Sequence, residues 1–401
     1  MSTRFLFRAG LRYAKKPELY EISHIVEHLA FGANAKYKDE QEFEADFTKN
    51  GAYHNAWTSD YSVCYESECA DFEWERILHL QEIAITKPRF NEEELQSEKG
   101  NVRTELTGYM NEYYRLMWPR LQQVIGEKVP DLGERIKTIS NITLKDVREH
   151  YRRTHTAKNM RFIITGNLRH RKREIVKMLN NWELKPGEQF EIPHDTMHSA
   201  SPTLIRRKDA SNISFAFSWL LPRKLCPAEV YAMNCLNHIL NGTMSSKILG
   251  QARKRGLVYG MGSDLSNGWR NASWDFDGEV NAESALELFK MIAAELRKLL
   301  NGELGDAELE AAKSYATGRY QMGAQTVGQI ADYYSDGYFT NGTIEKYDNM
   351  PNFIKNISKS TMVDLAREFI NQDIHALVAV SSVEKALINE LATELEALHN
   401  G

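Results

Sequence analysis

Hydrophobic and polar positions in the first half of the chain switch repeatedly between a helical and an extended period. Over residues 22–31 the apolar side chains Ile22, Ile25, Val26 and Leu29 recur at helical spacing, which predicts a helix with one face turned to a core. Residues 39–50 predict a second helix, closed by Asn50-Gly51, where glycine accepts the left-handed backbone that ends a helix. Residues 53–66 are rich in aromatic and β-branched side chains with a polar break at Thr58-Ser59-Asp60, the pattern of an antiparallel hairpin. Further helices are predicted at 74–86, 91–115 and 143–154. The second of these has Asn91 as N-cap and Glu92, Glu93 and Glu94 against the positive end of the helix. The run MRFIIT at 160–165 predicts a short buried strand.

Residues 185–203 interrupt this alternation with a polar stretch that holds three of the ten prolines. A linker is therefore expected at 186–203, between one domain at 1–185 and another at 204–401. Beyond it the order restarts: a strand at 213–220, a helix at 226–240, strands near Tyr259 and at 274–279, and helices at 282–300 and 306–322. An end section at 352–398 carries a strand at 376–380. The expected class is α+β, two similar domains, each a mixed and mainly antiparallel sheet packed with helices. The basic, slightly amphipathic N-terminal stretch lacks the pattern of a secretory signal and reads as an edge strand at least as well as a transit peptide.

Composition narrows the classes. A chain of 401 residues is long for one core and suits two domains. The formal charge of −5 is spread along the chain, and no basic block offers itself to phosphates, so nucleic acid is not an expected partner. No apolar run approaches the roughly eighteen residues needed to span a bilayer, so a membrane is not expected either. Cys64, Cys69, Cys226 and Cys235 form no CxxC pair and are too sparse for a disulfide framework; reduced thiols and a cytoplasmic setting are the expectation.

The candidate chemistry lies in His24-Ile25-Val26-Glu27-His28. Residues i and i+4 of a helix share a face, so both imidazoles can reach one ion. Zinc accepts neutral imidazole nitrogen, and a catalytic site takes three protein ligands and leaves a fourth position open. A glutamate on the same turn can take a proton from water acidified by the metal, which is the HxxEH order of the inverted zinc motif. An isolated HxxEH also recurs by chance, so context decides. Spacing leaves the third ligand open among Glu66, Glu68, Asp71 and the acids of the 91–115 helix. Within that helix Glu98 and Glu105 share a face, drifting by only about 20° over seven residues.

The stretch HIVEHLAFGAN resembles the motif region of the pitrilysin-like (M16) zinc peptidases. The resemblance continues through Asn50-Gly51-Ala52, Asn55-Ala56-Trp57-Thr58 and the segment from Glu98 to Glu105. In the second half, residues 242–247 (GTMSSK) and 255–259 (RGLVY) are similar to the family's signatures there. The resemblance implies one zinc ion per chain, held by His24, His28 and Glu105, with Glu27 as the base and Glu98 as an auxiliary acid. Tyr259 and Arg253 match the pair that stabilises the substrate oxyanion, Arg253 by allowing one residue fewer than the family has. Asn55, Ala56 and Trp57 fall in the matching segment, and an extended peptide is expected to lie along the strand from Tyr53 to Trp57 by backbone pairing.

Two departures stand out. The glycine often found three residues before the first histidine is Glu21, and the family's first strand is read as shortened or absent. The implied function is a zinc endopeptidase acting on unfolded peptides inside a chamber, as a homodimer or as a heterodimer with a related chain. The alternative is a non-catalytic, substrate-binding subunit of such a heterodimer.

Overall fold

The computed structural model describes residues 1–399. The first half runs β1 (Ser2–Phe7), α1 (Ile22–Ala30), α2 (Glu40–Thr48), β2 (Tyr53–Thr58), β3 (Val63–Glu68), α3 (Trp74–Thr86), α4 (Glu92–Tyr109), α5 (Tyr113–Val124), α6 (Leu132–Ile139), α7 (Leu144–Thr154), β4 (Met160–Thr165) and α8 (Lys172–Asn180). The second half runs β5 (Thr203–Arg206), β6 (Ile213–Leu221), α9 (Pro227–Asn241), α10 (Leu249–Lys254), β7 (Val258–Asn267), β8 (Ala272–Val280), α11 (Ala285–Leu300) and α12 (Asp306–Met322). It ends with α13 (Val327–Asn341), α14 (Met350–Lys355), α15 (Lys359–Asn371), β9 (His375–Ser381) and α16 (Lys385–Glu396).

Local chemistry accounts for many of these bounds. The Asp39 side chain accepts from the Glu42 amide at the start of α2, and Asn91 does the same for Glu94 at the start of α4. Thr143 and Asp146 form a reciprocal capping box on α7. Gly51 turns the chain after α2 with φ +78°, a conformation in which a Cβ would be strained.

Two compact units account for the chain. The first comprises Met1–Gly108, Leu132–Pro193 and Gly323–Glu345; the second comprises Tyr109–Asp131, His194–Met322 and the residues from Lys346 onward. Two segments, 109–131 and 323–345, thus belong to the unit built mainly from the opposite half of the sequence. The first unit holds an antiparallel sheet in the order β2-β3-β1-β4. The second holds a five-stranded sheet in the order β5-β9-β6-β8-β7, antiparallel except for the β5–β9 pair. The class is therefore α+β, with one wholly antiparallel sheet and one mixed, mainly antiparallel sheet.

The N-terminal stretch is not an edge strand. β1 lies inside its sheet, hydrogen-bonded to β3 on one side and β4 on the other, and all six of its residues are buried. Phe5 and Phe7 pack with Tyr65, Trp74 and Trp182 on one face. On the other face Leu6 packs with Cys64, Ile163 and Phe339 of α13, and Arg4 pairs with Glu66 and Asp332, each at 3.0 Å. A helix from far along the sequence covers that face, so the local pattern of β1 alone reads as half-exposed.

The single helix expected at 91–115 is likewise two. α4 ends at Tyr109, Glu112 is extended, and α5 restarts at Tyr113. Leu95, Val102 and Leu106 bury within the first unit, whereas Met117 and Leu121 pack against Ala216, Leu220 and Val378 of the second. In the second unit β6 is buried along its full length, with Phe217 and Trp219 against Trp274 and Phe276 of β8. No helix among the described residues is long and apolar enough to cross a membrane.

Candidate metal centre

Helix α1 turns Ile25, Val26 and Leu29 into the core, and this face fixes where the rest of the helix points. His24 and His28 lie one turn apart on another face, with ring centroids 4.8 Å apart and planes at 79°. Their Nε2 atoms face each other at 3.2 Å. From α4, Glu105 brings Oε2 to 3.4 Å from His24 Nε2 and 3.9 Å from His28 Nε2. Three ligands of a tetrahedral zinc sit about 3.3 Å apart when the bonds are about 2.0–2.2 Å. The three donor atoms stand close to that separation, so these residues fit a zinc ion by both chemistry and spacing.

Each imidazole is oriented from behind. His28 Nδ1 donates to Glu98 Oε2 at 2.8 Å, and the Asn101 amide donates to the other Glu98 oxygen at 3.1 Å. His24 Nδ1 donates to Glu21 Oε2 at 3.2 Å, and Glu21 is itself gripped by Arg135. A carboxylate on Nδ1 fixes the tautomer so that Nε2 presents its lone pair to a metal.

Glu27 is buried in this cluster, its carboxylate within 4.8 Å of the histidine donor atoms. Thr58 Oγ1 of β2 donates to Glu27 Oε2 at 3.1 Å. Burial pushes the Glu27 carboxyl above the usual carboxylate range, against the pull of His28 and His24. For His24 burial opposes the charged form, but hydrogen bonds to Glu105 and Glu21 outweigh it and lift the imidazole to about 10. The Glu98 carboxyl is held below its usual range by the hydrogen bond to His28, against burial. Glu21, Glu27, Glu98 and Glu105 around two imidazoles, with Arg135 as a single guanidinium among them, make an anionic pocket suited to a cation.

Of the other expected residues, Tyr53, Asn55, Ala56 and Trp57 all lie on β2, at the edge of the first sheet. Tyr53, Asn55 and Trp57 alternate outward, while Ala56 and Thr58 turn inward toward the Glu27 side. One flank of β2 pairs with β3, and its other flank pairs with no strand among the described residues. Arg253 and Tyr259 belong to the second unit. Arg253 lies in the last turn of α10 with its guanidinium 4.7 Å from the Tyr259 ring centroid and bonded to the Tyr259 carbonyl, and Tyr259 is 91% exposed. Both line a cleft of about 950 Å³ with Tyr114, Asp277 and Glu279.

Three contributors escaped the sequence reading. Glu21 stood out only as a departure from a glycine, Thr58 only as part of a motif, and Arg135 by no local signal. The one available clue was the i, i+3 spacing of Glu21 and His24, which stacks them on one helix face.

Comparison with known proteins bears on this geometry. Residues 3–145 match the family described as Insulinase (Peptidase family M16), and residues 141–315 match the description Peptidase M16 inactive domain. The zinc protease YmxG of Bacillus subtilis is 22% identical over 371 residues, covering 91% of this chain and 89% of that protein. The zinc protease SCO5738 of Streptomyces coelicolor is 21% identical, covering 89% of this chain and 80% of its own. A protease from Helicobacter pylori superposes with a TM-score of 0.83 at 20% identity, over 95% of this chain and 94% of that one. A peptidase M16 inactive domain from Pseudomonas fluorescens also reaches 0.83, at 17% identity, over 96% of this chain and 93% of the other. At such identities the superpositions speak for the fold.

Proposed function

The chain belongs to the M16 peptidase family, and on that footing we propose that it is a zinc-dependent endopeptidase acting on unfolded peptides. The observation that carries the reading is the trio of donor atoms on His24, His28 and Glu105, spaced at 3.2, 3.4 and 3.9 Å with Glu27 buried beside them. All four lie in the stretch that matches the peptidase description, outside the 141–315 stretch that matches the inactive-domain description.

His24, His28 and Glu105 would hold the metal. A bound zinc supplies Lewis-acid polarisation of a peptide carbonyl and acidification of water. Glu27 takes the proton of the attacking water and delivers it to the leaving amine. Thr58 occupies Glu27 Oε2, which leaves Oε1 to carry that proton. An extended peptide adds to the open flank of β2 by backbone pairing, and Tyr53 and Trp57 shape its side-chain positions. Arg253 and Tyr259 supply donors to the developing oxyanion from the second unit of a partner copy, or of a related chain, in a dimer. Four unpaired cysteines suit a reducing, cytoplasmic setting.

The match of the second half to an inactive-domain description favours a second reading, a substrate-binding subunit of a heterodimer. Cleavage of a quenched fluorescent peptide library by the purified chain separates the two. Chelator-sensitive turnover is expected, retained zinc with loss of turnover in Glu27→Gln, and a dimer by light scattering. Zinc bound without cleavage overturns the self-sufficient enzyme; full activity of Glu27→Gln overturns the role of Glu27.

A further inference from the structure

Glu21 occupies the N-cap position of α1 and makes no cap there, because its side chain turns inward. Both carboxylate oxygens are engaged. Oε2 accepts from His24 Nδ1 at 3.2 Å and from Arg135 Nη2 at 3.2 Å, and Oε1 accepts from Arg135 Nε at 2.6 Å. The Glu21 side chain has no exposed surface, and that of Arg135 is 18% exposed. The guanidinium also stands 5.9 Å from the ring centroid of buried Tyr20, whose hydroxyl donates to Asp60.

Resting on the zinc-peptidase reading, we infer that Glu21 and Arg135 are a positioning pair for the metal ligand His24, setting the strength with which this chain holds zinc. A buried ion pair contributes little net stability, because desolvation offsets the attraction. Its effect therefore falls on the imidazole it holds. Glu21 fixes the ring rotamer and tautomer of His24 and raises the electron density at Nε2, as a carboxylate behind a metal-bound histidine does. Arg135 cancels the added charge, so the support comes without a further net negative charge beside Glu27, Glu98 and Glu105. Its planar fork also denies Glu21 another orientation.

The two histidines differ in this respect. Behind His28, Glu98 is steadied by the neutral Asn101 amide, and the His28 side chain is 25% exposed against 10% for His24. The pair makes His24 the rigid anchor of the site.

The test measures zinc affinity of the full chain by competition with a chromophoric chelator, together with the visible absorption of the cobalt-substituted protein. The variants are Glu21→Gln, Arg135→Met and the double variant. Glu21→Gln is expected to weaken zinc binding about 10–100-fold and to change the cobalt absorption. The double variant leaves no unpaired buried charge, so its metal-free thermal midpoint returns to that of wild type while its zinc affinity stays low. It also decides the matter if Glu21→Gln fails to fold. Zinc affinity of the double variant within about threefold of wild type would overturn the inference and reduce the pair to a structural one. Failure of the wild-type chain to bind zinc at all would instead sink the peptidase reading, and this inference with it.

Discussion

At the scale of single residues, the site combines groups that a motif names with groups that only packing supplies. His24, Glu27 and His28 announce themselves within five consecutive positions, because a helix turns that spacing into one face. Thr58 does not, since a threonine in a strand is ordinary until its hydroxyl is seen 3.1 Å from Glu27. Replacing it tests its part. Thr58→Val keeps the shape and β-branching and removes the donor. A hydrogen bond to a charged group is worth about 1.5–3 kcal/mol, so kcat is expected to fall about 10–100-fold with zinc content unchanged. Steady-state kinetics beside a zinc assay check this; an unchanged kcat removes Thr58 from the mechanism.

The elements tell a more uneven story. Although β4 fully buries only Ile163, α1, α3, β2, β3 and β4 fall within a few residues of where their local patterns place them. β1 and α13 do not. Residues Val327–Asn341 show no strong helical stripe, yet a capping box of Thr326 and Gln329 starts the helix and Gly342, at φ +66°, ends it. Its Phe339 packs on Leu6, Cys64 and Ile163 of the first sheet, and Thr165 Oγ1 donates to the Val327 carbonyl at 2.6 Å. A helix that covers β1 from so far along the chain should be part of the first unit's stability. Phe339→Ala is expected to destabilise that unit by about 3–5 kcal/mol, the usual cost of emptying a buried aromatic site. Chemical denaturation checks it. A loss below about 1 kcal/mol would mean that α13 merely rests on the sheet.

On the scale of the whole molecule, acid sensitivity has an identifiable source. His150 and His155 are buried; His150 Nε2 bonds with Ser23 and His155 Nε2 with the Tyr65 hydroxyl, while the rings of Phe7 and Tyr151 stack on His155. Burial, and the Arg153 charge for His150, push both imidazoles down to about 3. The unfolded chain therefore binds protons at these sites below about pH 6.5 while the folded chain does not, so stability falls as pH falls from there toward 3. At pH 5.5 the cost is about 1.4 kcal/mol for each histidine. The thermal midpoint of the first unit is expected to drop between pH 7 and pH 5.5, and the drop should shrink in His155→Gln. An unchanged pH slope in that variant would assign the acid sensitivity elsewhere.

The division between local and tertiary information follows from where each interaction is made. Hydrophobic period, caps and turn residues act over a few positions, so most helices and strands, the α+β class and the His24–His28 motif were legible in the chain alone. Glu105 was legible only through resemblance, because spacing left it among many acids. What needed the folded molecule are contacts between residues far apart in sequence. They place β1 inside its sheet, break the 91–115 helix where its two apolar faces are buried in different units, and carry α13 to the first sheet. The same kind of contact sets Arg135 behind Glu21 and His24, 111 residues further along the chain than His24. No local pattern encodes such pairs: a buried charge declares itself only when the partner that neutralises it has arrived.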